Sequence, residues 1–222
     1  MPISRYTNII ICLACFALVS FSITVNSQPI NIKGFRSVPL EFKFILPRLQ
    51  QRTQVPVVLP TRIPLDALVT ADGQTGPYIA VPVVNGKFTG AYPSLEEKTL
   101  TNSFYEISLD ATPDCGGTGA CSFGLLNGEK LTPNTPSVPK AYAYEWEDPK
   151  YNPVGRSPEK HGPVTLIKGI NGYFIPYVCG ANCDTSKVFW EQNGYRYMVG
   201  IRYASKKTMI DMANSAIENE AF

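Results

Sequence analysis

Six cysteines are the first residues whose type and spacing suggest chemistry, and four of them form two near pairs, Cys115 with Cys121 and Cys179 with Cys183. Both pairs enclose glycine, in Cys115-Gly116-Gly117-Thr118-Gly119-Ala120-Cys121 and Cys179-Gly180-Ala181-Asn182-Cys183. Glycine lets a chain fold back within so few residues, so of the three connectivities open to four cysteines, two short-loop disulfides are expected. In the chain-entropy account a loop this small contributes about 2 kcal/mol, enough to pin a loop without dictating a fold. The competing chemistry is a four-cysteine metal site. Its first ligands usually stand about two to four residues apart, and the spacing of Cys115 and Cys121 fits that badly, so no metal is expected.

Other reactive types give weaker patterns. The single histidine, His161, stands in Glu159-Lys160-His161-Gly162-Pro163, an exposed turn by composition, and no Gly-x-Ser-x-Gly elbow accompanies it. The glycines at 116, 117 and 119 lack the Lys-Ser/Thr ending of a phosphate-binding loop, so they read as part of a disulfide-closed loop. Asp110, Asp114, Glu145, Glu147 and Asp148 supply carboxylates that a glycoside hydrolase would pair across a sugar, but sequence does not give their separation. No catalytic residue is assigned on these grounds. Tyr142, Tyr144 and Trp146 alternate with small and acidic residues. Were that segment a strand, three rings would share one face, either for ligand stacking or as ordinary core.

These residues need a frame, and compartment comes first. Met1 to Arg5 form a short, singly charged start, Ile9 to Val25 are uncharged and apolar, and Val25 and Ser27 suit the positions before a cut at Gln28. That is the layout of a secretory signal over residues 1–27. The alternative is an uncleaved anchor, since the apolar run is near the short limit for crossing a bilayer. Cys12 and Cys15 lie within this run. Without residues 1–27, 19 basic residues face 18 acidic ones, which leaves no electrostatic case for nucleic acid or for a membrane surface beyond that segment. The expected location is secreted or periplasmic, where cysteines oxidise.

Residues 28–76 read as a proline-rich region, in which Pro29, Pro39, Pro47, Pro56, Pro60 and Pro64 stop any helix from gaining length. Residues 77–222 read as hairpins and a final helix, forming one domain with that region. Asn-Gly recurs at 85, 127, 171 and 193, and it supplies the positive φ values of a type I′ turn. With Asn193-Gly194 as the loop, Gln192 faces Tyr195, Glu191 faces Arg196 and Trp190 faces Tyr197, giving an ion pair and an aromatic pair in one register. Asn171-Gly172 as a loop sets Ile170 against Tyr173, joining Val164–Lys168 to Tyr173–Val178. Asn85-Gly86 joins Tyr78–Val84 to Lys87–Tyr92. Asn127-Gly128 reads as a loop cap only, because three prolines follow in 132–139. Phe104–Asp110 alternates, with Tyr105, Ile107 and Leu109 on one face. At the C-terminus, Ser205 caps a helix whose Met209, Met212, Ala213, Ala216 and Ile217 recur at helical spacing. The expected fold is α+β: an antiparallel, hairpin-built, twisted sheet with a C-terminal amphipathic helix packed on one face.

Residues 164–219, with Gly169-Ile170-Asn171-Gly172-Tyr173, Phe189-Trp190-Glu191-Gln192-Asn193-Gly194-Tyr195 and Met212-Ala213-Asn214-Ser215-Ala216-Ile217 in order, resemble a family of uncharacterised secreted proteins common in cyanobacteria. The ending is also similar to a wider exported bacterial domain of unknown function. The resemblance implies export and architecture and carries no catalytic residue or cofactor. A non-enzymatic protein of the envelope or extracellular space, binding a protein or small-molecule ligand, is therefore the expectation. An exported hydrolase using a carboxylate pair is the alternative, and an assembly role the third.

Overall fold

The computed structural model describes residues 40–64, 83–84, 87–88, 92–95, 100–115, 121–144, 155–179 and 183–219. The expected signal segment and Glu145, Trp146, Glu147 and Asp148 lie outside the described residues. A small hairpin is made by β1 (Val83–Val84) and β2 (Lys87–Phe88), with Val84 opposite Lys87 as the Asn85-Gly86 reading requires. β3 (Tyr92–Leu95), β4 (Phe104–Asp110) and β5 (Ser122–Lys130) form one antiparallel meander. β6 (Gly155–Arg156) pairs with β9 (Val178–Cys179). β7 (Gly162–Thr165), β8 (Asn171–Ile175), β10 (Thr185–Gln192) and β11 (Tyr195–Arg202) form a second meander. β11 pairs antiparallel with β5, which joins the two meanders into a seven-stranded sheet of order β3-β4-β5-β11-β10-β8-β7.

The β10–β11 hairpin has the expected register, with Gln192 opposite Tyr195, Glu191 opposite Arg196 and Trp190 opposite Tyr197. Asn193 and Gly194 take φ values of 52° and 82°, the left-handed pair that a type I′ turn needs. The other two Asn-Gly pairs in the sheet correct the sequence reading. Asn171 and Gly172 lie inside β8, opposite Thr165 and Val164, and the chain reverses earlier, around Lys168 (φ 59°) and Gly169 (φ 70°). Gly172 is there for closeness, since a Cβ would sit 2.9 Å from Leu166 Cδ1 and 3.0 Å from the Phe189 carbonyl. Asn127 and Gly128 lie in mid β5, where a Cβ on Gly128 would be 2.4 Å from Tyr105 Cε1. Both glycines are asked for by a neighbour across the sheet, which an Asn-Gly motif cannot distinguish from a turn.

One face carries the main core. Tyr105, Ile107 and Leu109 from β4, Leu126 from β5, Val199 and Ile201 from β11, and Val188 and Trp190 from β10 all lie buried there. Over them runs α3 (Lys206–Asn219), burying Met209, Met212, Ala213, Ala216 and Ile217 as their spacing predicts, each large side chain contributing about 1.5–3 kcal/mol. Ser205 Oγ accepts the Thr208 N–H at 3.1 Å, and Glu159 Oε2 accepts the Lys206 N–H at 2.7 Å, so two of the helix's first N–H groups are satisfied. The proline-rich region covers the rest of this face with Phe42, Leu46, Leu49, Val55, Val58 and Leu59. It contains a helical turn that its prolines did not announce, α1 (Leu46–Arg52), which accommodates Pro47 because the first turn needs no donor from it. Polar ties lock the layers: Val58 N–H donates to Tyr105 Oη at 3.1 Å, Ile167 N–H to Asn214 Oδ1 at 2.8 Å, and Asn219 Nδ2 to the Leu59 carbonyl at 2.9 Å.

Both expected disulfides form, Cys115–Cys121 and Cys179–Cys183. The second holds the end of β9 to Cys183, two residues before β10 begins.

Candidate functional site

In β10 every residue from Thr185 to Trp190 is buried, so both sheet faces are covered along this strand. The second face carries its own small core, in which Ile175, Phe189 and Met198 meet Val138, with Leu125, Tyr142 and Tyr173 packed against them. Val138 and Tyr142 come from α2 (Val138–Tyr142), and as an i, i+4 pair they lie on one side of it. The sequence reading set 141–147 as a strand if its rings were to share a face. Over its described part the chain is helical, because Pro139 sits in the first turn and Val138, not the ring alternation, sets the apolar side.

The three rings considered for stacking therefore have separate fates. Tyr142 packs on Phe189, with centroids 5.3 Å apart, and lies beneath Lys187 Nζ at 5.6 Å. Tyr144 follows it outward, its ring 6.5 Å from Tyr142 at an interplanar angle of 25° and 51% exposed. Trp146 lies outside the described residues.

Beside this core is a cleft of about 370 Å³. The pairing of β8 with β10 ends at Gly172 opposite Trp190, and the next residues outward, Asn171 and Glu191, line the cleft. Tyr173 and Phe189 line it as well, and Ser137, Val138 and Pro139 supply the opposite wall. Arg196 fixes that wall to the sheet. Its guanidinium, on a residue only 6% exposed, donates from Nη2 to the Pro136 carbonyl at 2.8 Å and to Glu191 Oε1 at 2.7 Å. Nε reaches the same carboxylate oxygen at 3.1 Å, and Nη1 reaches Glu129 Oε1 at 3.2 Å. The Glu191–Arg196 pair was legible from the hairpin register; its hold on Pro136 was not.

A hydrogen bond of 3.0 Å links Tyr173 Oη with His161 Nδ1, so the histidine is half-buried and engaged instead of standing on an exposed turn. Burial pushes the Tyr173 phenol above its ordinary value, which keeps it neutral. Further along the same face Lys187 is buried, its ammonium paired with Asp184 and donating to the Thr185 carbonyl at 3.2 Å. Burial draws the nearby Arg202 guanidinium below its usual value, against the opposing pull of Tyr203 and Asp184. Lys187 escaped the sequence reading, although a lysine beside the apolar run Val188-Phe189-Trp190 was a signal that the second face is polar at that point.

The carboxylates considered for hydrolysis divide. Asp110 is buried and accepts from Ser108 Oγ at 2.6 Å, whereas Asp114 is exposed in the turn before Cys115. Among the described residues, no group of three or more His, Cys, Asp or Glu is placed to hold a metal ion, and no helix is long and apolar enough to cross a membrane. Among the described residues the cleft is lined by Tyr173, Phe189 and Trp190, an amide, hydroxyls and one carboxylate already engaged by a buried cation. Compared with protein-family models, with curated proteins and with solved structures, the chain matches none.

Proposed function

We propose that the chain is an exported, non-enzymatic binding protein of the envelope or extracellular space, and that it takes a small ligand in the cleft between α2 and the ends of β8 and β10. The observation that carries this reading is the cleft itself: a concavity of about 370 Å³, within the usual size range of ligand sites, combining apolar and ring side chains with a few polar groups at its rim. The oxidised pairs Cys115–Cys121 and Cys179–Cys183 support the compartment, because such bridges persist in oxidising surroundings. So does the signal-like opening.

The test is native purification from the secreted or periplasmic fraction, with mass spectrometry of the new N-terminus, the bridges and any co-purifying small molecule. A chain beginning at Gln28, with both bridges closed and a compound displaced by altering the cleft, is the expected result. Intact polypeptide in the cytosol with reduced thiols overturns the export, and turnover of a glycan, ester or peptide by the purified protein overturns the non-enzymatic reading.

A further inference from the structure

The chemistry of the cleft narrows what can occupy it. Among the described residues its one charged lining residue is Glu191, whose Oε1 already accepts twice from Arg196, and no described cation lines it. Among those described residues a phosphate or carboxylate ligand would meet no positive partner and one carboxylate. An ammonium ligand would compete with a guanidinium that is fixed in place by Glu129 and the Pro136 carbonyl. An extended peptide has no sheet edge to add to, since β8 is flanked by β7 and β10, and β10 by β8 and β11. What remains is a neutral ligand recognised by side chains, with an apolar face for the rings and several hydroxyls for the rim.

We propose that the ligand is a neutral saccharide, one or two rings of which lie in the cleft with an apolar C–H face against the half-buried Tyr173 ring, which packs on the core around Phe189, and with hydroxyls reaching Asn171, Ser137 and Glu191. The proposal rests on the cleft being a ligand site, as argued above, and names the class. The negative face of an aromatic ring attracts the slightly positive C–H groups of a pyranose. Asn171 and Ser137 each donate and accept, and Glu191 accepts, which suits hydroxyls that do both. The Tyr173 hydroxyl is tied to His161, so that ring is held in one orientation before any ligand arrives. Tyr142 and the half-exposed Tyr144 continue the row of rings outward from Phe189, placing a further platform for a longer chain.

The experiment uses the full chain, exported and processed by its host, in two-dimensional NMR and calorimetric titrations. The probes are N-acetylglucosamine, methyl glucoside, methyl galactoside and cellobiose; glucuronic acid, tyramine and a blocked tyrosyl peptide are the counter-probes. Expected are saturable shifts at residues 137–139, 171–173 and 189–191 with at least one neutral sugar, and weaker or no binding of glucuronic acid. Asn171→Ala, an exposed site that leaves the fold intact, and Tyr173→Phe are each expected to weaken that binding at least tenfold, with circular dichroism unchanged. Binding of tyramine or the peptide at the same residues, without any sugar, overturns the ligand class and leaves the cleft a ligand site. Shifts at those residues with none of the probes, or sugar binding indifferent to both variants, overturns the site along with the class.

Discussion

Arg196→Met tests whether the wall of the cleft is held as described. The substitution keeps most of the buried stem volume and removes three donations to carboxylate and one to the Pro136 carbonyl. Breaking a buried ion pair by deleting one partner costs about 3–5 kcal/mol when the other charge is left stranded. Here the survivors are not stranded, because the side chains of Glu129 and Glu191 are 33% and 51% exposed and water replaces the guanidinium. Removing a cation that is itself buried also recovers its desolvation cost. The net loss is therefore about 2 kcal/mol, at the low end of what hydrogen bonds to charged groups contribute. For a chain of this size that lowers Tm by about 4–8 °C. The local effect is larger in kind. α2 has five residues, far too few to hold itself, so losing the Pro136 tie exposes the Ala141 N–H that now donates to the Ser137 carbonyl at 2.9 Å. Hydrogen exchange at Ala141 is expected to quicken about tenfold, the equivalent of about 1.4 kcal/mol of local stability. A Tm within 1 °C of the parent, with unchanged exchange at Ala141, would refute the idea that this guanidinium secures the wall.

Two further outcomes follow from single contacts. Gly128→Ala puts a methyl group where Tyr105 lies, and Tyr105 is anchored by Val58, so urea unfolding should show a loss of about 1–3 kcal/mol; in a Tyr105→Ala background the same change should cost almost nothing, and an equal cost in both would mean that the ring is not the obstacle. At high pH, the raised Tyr173 phenol favours the neutral form in the fold, so its contribution to stability is complete below about pH 10 and falls as pH climbs from the unfolded value through the folded one. Stability measured from pH 9 to 12 should fall less steeply in Tyr173→Phe, and identical slopes would contradict the shift.

Where the fold was legible, a local pattern and a tertiary demand coincided. The period-two run of Tyr105, Ile107 and Leu109, the helical spacing from Met209 to Ile217, and the Asn193-Gly194 register each state in sequence what the core then uses. Where it was not, a residue answered to a distant neighbour. Gly128 accommodates a ring 23 positions away in the chain, and Gly172 accommodates Leu166 and the β10 backbone, so both imitated turns. His161 and Tyr173 are joined only by the β7–β8 pairing, and Arg196 reaches Pro136 only because α2 folds back over the sheet. Of the cleft, the Glu191–Arg196 pair alone could be written down beforehand, because cross-strand register is local to a hairpin whereas the opposite wall arrives from residues 136–139.

The same geometry explains why a cleft forms at this end of the sheet. A strand buried on both faces needs a layer on each, and among the described residues β10 has α3 over one face and the five residues of α2 over the other. Phe189 and Met198 lie far enough along for α2 to reach, whereas Asn171 and Glu191, one step beyond the last β8–β10 pair, do not. Ser137 to Pro139 follow directly on the Pro136 carbonyl that Arg196 holds, and they line the cleft together with Asn171 and Glu191 of the sheet. Wall and floor therefore share one fastening. Any molecule that bridges Asn171 and Ser137 adds a second, so occupancy of the cleft and the stability of α2 must rise together: a ligand that protects Ala141 from exchange is one that touches both sides.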